Sequence, residues 1–267
     1  MTVPDEVVAR LRAAGCVWAE DEAALLVEAA TGDVLEELVA RRVAGEPLET
    51  VLGWALLLGR RLVVRPGVFV PRRRTELLVR VALERVRPPG VSGRRPVVVE
   101  MCCGVGPVAA LLEGHDVEVH AADVSATALA CARANAPSAT LHRGDLWDAL
   151  PADLAGRVGV VAANAPYVPT GRIATMPAEA RDHEPHAALD GGPDGVDLHR
   201  RLAAGAPTWL APGGVLLVET SPEQLPLTQA AMAAAGLATD VVVDDEVGGC
   251  VAVGVAPGVS PAAGERA

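Results

Sequence analysis

The sequence predicts an α/β fold in which a mostly parallel, seven-stranded sheet follows a small helical domain. Short Val-rich runs alternate with Ala-rich helical stretches from Val97 onward, which is typical of βαβ units with helices on both faces of the sheet. Upstream, residues 5–44 place Leu and Val at three- and four-residue spacings among Glu and Arg, as amphipathic helices do. The 267 residues are enough for one α/β domain with a small appendage.

Changes in the hydrophobic pattern divide the chain into four parts. We expect an N-terminal helical domain, a β-hairpin linker, the α/β domain and a disordered tail. Their predicted boundaries are 1–50, 51–71, 72–258 and 259–267.

Glycine and proline positions divide these parts into elements. Gly32-Asp33 breaks the N-terminal helical pattern, and Gly59-Arg60 forms the hairpin turn. A helix is predicted over 75–87, and a Pro/Gly-rich linker over 88–93. We expect one of the last two strands to run antiparallel at the sheet edge, because they are close in sequence. The predicted strands are 97–101, 117–122, 139–142, 158–163, 214–219, 238–243 and 250–255.

Composition excludes several classes of protein. The net charge of −11 argues against unaided nucleic-acid binding, because phosphate contacts need a basic face. No apolar run reaches the ~18 residues of a membrane span, and Asp5 and Glu6 precede any apolar stretch, so we expect a cytoplasmic protein. All 23 basic residues are arginine, which excludes Schiff-base and P-loop lysine chemistry. Five cysteines, two of them adjacent, do not suggest a disulfide framework.

A glycine-containing loop follows the first predicted strand of the sheet. Gly104 and Gly106 allow the backbone to turn tightly and to approach a ligand closely. The second strand ends at Asp123, where a carboxylate can accept hydrogen bonds from both ribose hydroxyls. The alternative is that Asp123 or Ser125 caps the next helix, and both roles are compatible if Ser125 is the cap.

The third strand ends in a similar way. Asp145 can accept a hydrogen bond from an adenine amino group while Leu146 covers the ring, although a turn-forming Asp is an equal alternative. Ligands of open α/β sheets bind at the carboxyl ends of the strands, where these residues converge. The sequence therefore predicts an adenosine-type cofactor, and these features do not separate NAD from S-adenosylmethionine.

The fourth strand ends in Asn164-Ala165-Pro166-Tyr167. The Asn164 side-chain oxygen and a following backbone carbonyl are two acceptors that can hold both protons of an NH2 group. Such a grip orients a weakly nucleophilic amide nitrogen, so that catalysis rests on positioning and electrostatics. The Tyr167 ring can wall the site and favour a sulfonium charge. An ordinary Asn-x-Pro turn is the alternative.

Several stretches together resemble one family, the HemK/PrmC-type release factor protein-(glutamine-N5) methyltransferases. The resemblance covers residues 40–255. The motif at Asn164 resembles the NPPY of that family, although Ala165 replaces the first proline and Cys102 replaces a loop glycine. The other matching stretches are 42–53, 67–76, 184–195 and 212–219. Two patterns within them are the more specific to the family, PRxxTE at 71–76 and EPxxAL-GG-DG at 184–195.

The resemblance implies a class I, Rossmann-like S-adenosylmethionine-dependent methyltransferase core. It implies transfer of a methyl group to the glutamine of a Gly-Gly-Gln motif in a class I peptide chain release factor, leaving S-adenosyl-L-homocysteine. Three groups of site residues follow from it. The catalytic group is Asn164, Ala165, Pro166 and Tyr167; the cofactor group is Glu100, Cys102, Gly104, Gly106, Asp123, Val124, Asp145, Leu146 and Asn164; the substrate group is Phe69, Pro71, Arg72, Glu184 and Pro185.

The departures from the family pattern leave other functions open. They suggest a divergent paralogue, and the alternative substrate is a small-molecule amide or amine of secondary metabolism. A non-catalytic binding module and a nucleic-acid methyltransferase are further alternatives. We expect no metal at the stretch Asp182-His183-Glu184-x-His186, and at Cys102-Cys103 we expect small buried thiols, with a reactive thiol as the alternative. The run Arg72-Arg73-Arg74 is either a solvated helix start or a contact for an acidic partner or RNA.

Overall fold

The computed structural model describes residues 4–86 and 94–258, so the predicted linker at 88–93 and the tail at 259–267 lie outside the described residues. The N-terminal part is a bundle of four helices. Leu11, Leu26 and Val39 are fully buried in its core, as the helical spacing of the apolar residues predicted. The helices are α1 (Asp5–Ala13), α2 (Ala19–Ala29), α3 (Gly32–Val43) and α4 (Leu48–Leu52).

The predicted hairpin is present, but it is shorter than expected. Strands β1 (Trp54–Leu57) and β2 (Arg60–Val63) pair in antiparallel fashion around Leu58-Gly59, and regular pairing ends at Val63. Leu57 and Leu62 are buried in the same hydrophobic core as one face of the large sheet. Asn135 reinforces this packing: its side chain accepts a hydrogen bond from the Val63 N–H at 2.7 Å and donates to the Val63 carbonyl at 3.1 Å.

The large sheet has seven strands in the order β5-β4-β3-β6-β7-β9-β8, and β3 to β7 are parallel to one another. All five residues of β3 are buried, because helices cover both faces of the sheet. The strands are β3 (Val97–Met101), β4 (Glu118–Asp123), β5 (Thr140–Arg143), β6 (Val158–Ala163), β7 (Leu210–Glu219), β8 (Ala238–Asp244) and β9 (Gly249–Val255).

Six further α-helices accompany the sheet within residues 4–86 and 94–258. One hydrophobic cluster packs α5, α6, α7 and the hairpin against one face, and a second packs α9 and α10 against the other. The helices are α5 (Thr75–Arg85), α6 (Pro107–Leu111), α7 (Ala126–Asn135), α8 (Ala178–His183), α9 (Asp197–Trp209) and α10 (Leu225–Ala234).

Two predicted features of the sheet are wrong in detail. The antiparallel strand is β9, which lies between β7 and β8, so the edge strand β8 runs parallel to the main group. The connection from β7 to β8 contains α10 and acts as a crossover, while a tight turn connects β8 to β9. Strand β7 begins at Leu210 instead of Gly214, and its pairing with β6 shifts register between Val158 and Val160.

Candidate active site

A cavity of about 460 Å³ opens at the carboxyl ends of β3, β4, β5 and β6, within the size range of small-molecule sites. The parallel register places the ends of these strands side by side, and this explains why distant motifs converge there. All the predicted site residues except Gly106 lie in its wall: Phe69, Pro71, Arg72, Glu100, Cys102, Gly104, Asp123, Val124, Asp145, Leu146, Asn164, Ala165, Pro166, Tyr167, Glu184 and Pro185.

Asp123 connects the glycine loop to the next helix. One carboxylate oxygen accepts a hydrogen bond from the Gly104 N–H at 2.9 Å, and the other accepts from the Ser125 N–H at 2.8 Å. Ser125 caps α7 by accepting from the Ala128 N–H. Burial raises the pKa of Asp123, and the backbone donors oppose that rise. The capping role therefore falls to Ser125, while Asp123 faces the cavity.

The loop itself adopts backbone conformations that favour glycine. Cys102 has φ +50° and Gly104 has φ +53°, and a side chain at Cys102 carries a cost because L residues rarely adopt this region. Desolvation by the surrounding protein raises the pKa of Cys102 to about 12, and burial raises that of Cys103 as well. Both thiols are therefore protonated at neutral pH and are poor nucleophiles.

Gly106 differs from the expectation, since it lies outside the cavity wall. It precedes α6 with φ +74°, and a Cβ there would lie 3.1 Å from the Cβ of Ala132. Its small size allows α6 to pack closely against α7.

Glu100 accepts hydrogen bonds from the Val108 and Ala109 N–H groups at 3.1 and 2.8 Å, and burial raises its pKa to about 8.

The third strand end supplies the outer rim of the cavity. Asp145 accepts a hydrogen bond from Arg201 at 2.8 Å and remains about half exposed. Leu146 is buried and has φ +47°, another unfavourable conformation for an L residue at the cavity. Backbone strain of this kind is concentrated at functional sites in proteins.

The Asn164 motif forms the inner wall. The Asn164 amide group donates a hydrogen bond to the Thr75 hydroxyl at 3.3 Å, and Ala165 is buried. The Gln224 side chain donates to the backbone carbonyl of Tyr167 at 2.6 Å and so holds the end of the motif. The guanidinium of Arg74 lies 5.7 Å from the centre of the Tyr167 ring.

Glu184 attaches the second predicted substrate segment to the first. Its Oε1 atom accepts hydrogen bonds from the Val70 N–H at 3.1 Å and from Arg72 at 2.7 Å. The Arg72 guanidinium also lies 5.2 Å from the Phe69 ring. Within residues 4–86 and 94–258, Glu184 Oε2 is buried without a hydrogen-bond partner. Burial raises the pKa of Glu184, and Arg72 opposes this rise.

Two residues of the run Arg72-Arg73-Arg74 form ion pairs within the protein. Arg72 pairs with Glu184, and Arg74 pairs with Glu219 at 3.1 Å, so both neutralise buried carboxylates of the protein itself. The described part of the chain contains no group of three or more His, Cys, Asp or Glu residues that could hold a metal. In that same part, no helix is long and apolar enough to cross a membrane.

Four residues beside the Asn164 motif, namely Arg74, Thr75, Glu219 and Gln224, were not among the predicted site residues. Arg74 and Thr75 lie in the stretch that resembles PRxxTE, and Glu219 ends a predicted strand beside Asn164. The resemblance was the available signal for these three residues. Gln224 follows β7 and had no signal, because its partner Tyr167 is 57 residues away.

Comparison with known proteins identifies the family. A release factor glutamine methyltransferase of Streptomyces coelicolor is 42% identical over 192 residues, which cover 70% of this chain and 67% of that protein. A protein of the same name from Bradyrhizobium diazoefficiens is 34% identical, and the match covers 88% of this chain and 86% of the relative. This chain belongs to the release factor glutamine methyltransferase family. No model in a scan of protein families matches it.

The fold agrees with this family assignment. A methyltransferase from Pyrococcus furiosus superposes with a TM-score of 0.55 at 16% identity, over 82% of this chain and 97% of that one. The ribosomal protein L11 methylase of Lactobacillus delbrueckii superposes with a TM-score of 0.51 at 16% identity, over 73% and 84% of the two chains. The predicted class I methyltransferase architecture is therefore confirmed.

One relative differs in its substrate. A 4-amino-L-phenylalanine/4-methylamino-L-phenylalanine methyltransferase of Streptomyces pristinaespiralis is 38% identical over 203 residues, which cover 74% of this chain and 69% of that protein. In the chain described here, Asp123 and Asp145 place hydrogen-bond acceptors in the cavity wall, and this set of acceptors suits the hydroxyl and amino groups of an adenosine-type ligand.

Proposed function

We propose that this protein transfers a methyl group from S-adenosylmethionine to a glutamine side-chain nitrogen in the Gly-Gly-Gln motif of a class I peptide chain release factor. The amide nitrogen forms a bond to the methyl carbon as the carbon–sulfur bond breaks, and the products are N5-methylglutamine, S-adenosyl-L-homocysteine and one proton released from the amide nitrogen. The observation that carries the proposal is Asn164, which directly follows β6 and lines the same cavity as Asp123 and the glycine loop. Relatives named for this reaction, at 34–42% identity, support it.

In this proposal the acceptor amide is held by the Asn164 motif. Asn164 Oδ1 and the backbone carbonyl of Ala165 each accept one proton of the substrate NH2 group, which orients the nitrogen lone pair toward the cofactor. The exchange of proline for Ala165 leaves this carbonyl in place. S-adenosylmethionine supplies a methyl group on a positively charged sulfur. Tyr167 walls the site with its ring, which favours that charge.

The cofactor would lie against the other strand ends. Asp123 would accept hydrogen bonds from the ribose hydroxyls, and Asp145 from the adenine amino group, with Leu146 against the ring. Because Asp123 already accepts from the Gly104 N–H, ribose binding would be coupled to the position of the glycine loop. Each of these roles uses groups that face the cavity.

The partner in this proposal is a folded protein. We assign residues 1–50 to its recognition. Arg42 pairs with Glu22 at 2.6 Å within this part, and its ion pair with Glu179 at 3.3 Å connects the part to the rest of the chain. We further propose that the reaction takes place in the cytoplasm, where termination factors act. The net charge of −11 gives no support to direct nucleic-acid or membrane-surface binding.

A transfer assay with labelled cofactor tests the reaction. We expect label on the glutamine of a release factor Gly-Gly-Gln motif, and no label when that glutamine is replaced by alanine. Lack of transfer to any release factor by the wild-type enzyme would overturn the proposal.

The Asn164→Ala variant tests whether Asn164 holds the acceptor amide. We expect kcat to fall by roughly 10²–10³-fold, the loss seen when one stabilising donor or acceptor is removed, with S-adenosylmethionine affinity nearly unchanged. Calorimetry and initial rates measure the two quantities. A variant that instead loses the cofactor would contradict the assignment of Asn164 to the acceptor.

A second candidate is methylation of a small-molecule amine, and the relative that acts on 4-amino-L-phenylalanine favours it. The same cavity would then accept an aromatic amino acid in place of a protein loop. The two candidates are distinguished by kcat/KM for a release factor against kcat/KM for 4-amino-L-phenylalanine, measured with one enzyme preparation.

A further inference from the structure

We propose that Thr75 is a positioning residue that fixes the orientation of the Asn164 amide, and that Glu219 sets the direction of this hydrogen bond. The inference rests on the proposed function, in which Asn164 Oδ1 accepts a proton of the substrate NH2 group. It extends that function to two residues on separate elements, α5 and β7, neither of which is part of the Asn164 motif.

The orientation of the Asn164 side chain decides whether the site can hold its substrate. An asparagine amide has an acceptor and a donor of nearly equal size at opposite sides, so a rotation of about 180° exchanges them. With Oδ1 toward the cavity the group accepts a substrate N–H. With the NH2 group toward the cavity it presents donors to donors and repels the same substrate.

The contact with Thr75 selects one of these orientations. Asn164 Nδ2 donates to the Thr75 hydroxyl at 3.3 Å, and Thr75 is 1% exposed, so water does not compete for the hydroxyl. Asn164 Oδ1 accepts no hydrogen bond from any residue in the described ranges. It is therefore the acceptor left for a ligand in the cavity.

A hydroxyl can donate or accept, so a further group must determine its direction. Thr75 has one proton. If Glu219 takes it, the Thr75 oxygen is left as an acceptor and Asn164 must donate. Glu219 is fully buried at the end of β7, and as an ionised carboxylate it would meet this requirement, because such a group only accepts.

The remaining atoms around Glu219 agree with this direction. Arg74 donates to Oε1 at 3.1 Å, and its charge favours the ionised carboxylate. Within the described residues, Oε2 is buried and has no hydrogen bond of standard geometry, so this oxygen is free to receive a proton. Burial raises the pKa of Glu219, and the neighbouring Arg74 charge and Thr75 side chain oppose this rise.

Two hydrogen bonds of this series are present in the structure, Arg74 to Glu219 and Asn164 to Thr75, and the transfer of direction from Glu219 to Thr75 is the step we propose. Arg74 and Thr75 are adjacent at the start of α5, Glu219 is the last residue of β7, and Asn164 directly follows the neighbouring strand β6. One helix terminus therefore supplies both the counter-ion and the hydroxyl. This arrangement explains why the stretch around Arg74 and Thr75 belongs to the site.

The test compares Thr75→Val with Thr75→Ser and with a matched control. Valine keeps the shape of threonine and removes the hydroxyl, whereas serine keeps the hydroxyl. The control is Thr220→Val, because the Thr220 hydroxyl is buried beside Glu219 without a hydrogen-bond partner among the residues described. Rates are measured with a release factor as acceptor, and cofactor affinity is measured by calorimetry.

We expect Thr75→Val to lower kcat about tenfold to a hundredfold, since small misplacements of a reacting group have effects of this size. Cofactor affinity should stay within about twofold, Thr75→Ser should recover most of kcat, and Thr220→Val should match the wild type. A purely structural role for Thr75 would instead lower thermal stability in both Thr75 variants and leave kcat per folded molecule unchanged, which would overturn the inference.

Glu219→Gln provides an independent test if Thr75→Val does not fold. A glutamine can donate to Thr75, which would then donate to Asn164 and turn its NH2 group toward the cavity. We expect a loss of kcat similar to that of Thr75→Val, and wild-type kcat in Glu219→Gln would overturn the inference. An inactive wild-type enzyme would overturn the proposed function itself, whereas an active wild type with an equally active Thr75→Val would overturn only the role of Thr75.

Discussion

The Gly195→Ala substitution tests how the loop after Tyr167 is held. Gly195 has φ +81°, and a Cβ there would overlap Gln224 Nε2 and the Tyr167 carbonyl oxygen and lie 3.1 Å from Pro169 Cδ. The two overlapping atoms are hydrogen-bonded to each other, and Gln224 also donates to the Asp194 carbonyl at 3.1 Å. The new methyl group therefore has to separate the atoms that position Tyr167.

The cost of this substitution can be worked out from its parts. A side chain at positive φ costs roughly 1–2 kcal/mol. Overpacking against fixed backbone costs about 1–3 kcal/mol. Two lost hydrogen bonds from Gln224 cost about 1 kcal/mol each. Because movement of the loop relieves the overlap while it breaks the hydrogen bonds, the last two parts do not fully add, and we expect a loss of about 3–5 kcal/mol in the free energy of unfolding.

Equilibrium denaturation and methyl-transfer kinetics provide the assay. We expect kcat to fall by about 10²-fold, because Tyr167 would no longer be held against the cavity, while cofactor affinity changes little. Gly171→Ala is the matched control, since Gly171 lacks a positive φ and a Cβ there has no neighbour within 4 Å. A Gly195→Ala enzyme with wild-type stability and wild-type kcat would refute this account of the loop.

Three other predictions concern the cofactor side and the hairpin. Asp123→Ala should weaken S-adenosylmethionine binding by at least about tenfold, since charge-assisted hydrogen bonds contribute about 1.5–3 kcal/mol, and an unchanged Kd by calorimetry would contradict this. Glu100 has a raised folded-state pKa, so its contribution to stability falls as the pH rises from 4.5 to about 8, and thermal melts should show a steeper decline for the wild type than for Glu100→Gln in that window. Asn135→Ala should lower the free energy of unfolding by about 2–4 kcal/mol, because the backbone groups of Val63 and Val105 lose their hydrogen bonds to the Asn135 side chain. A denaturation midpoint equal to that of the wild type would contradict this stabilising role of Asn135.

The site could be predicted to the extent that its residues lie at strand ends. Asp123, Asp145 and Asn164 each lie at or just after the end of a predicted strand, and parallel strands bring their carboxyl ends to one edge, so their convergence follows from pattern and fold class. Gly106 was the exception. Its small size serves the packing of α6 against α7, and a glycine in such a loop has the same appearance in sequence whether it faces a ligand or a helix.

Amino-acid order alone determined the local elements, because hydrophobic period and turn residues depend on near neighbours. It therefore predicted the helical N-terminus, the hairpin and the parallel strands. Only the tertiary structure decided the position of β9, the pairing of Arg74 with Glu219 and the contact of Thr75 with Asn164, which are 145 and 89 residues apart. Such contacts depend on how sheet and helices pack in three dimensions, and no local periodicity records them.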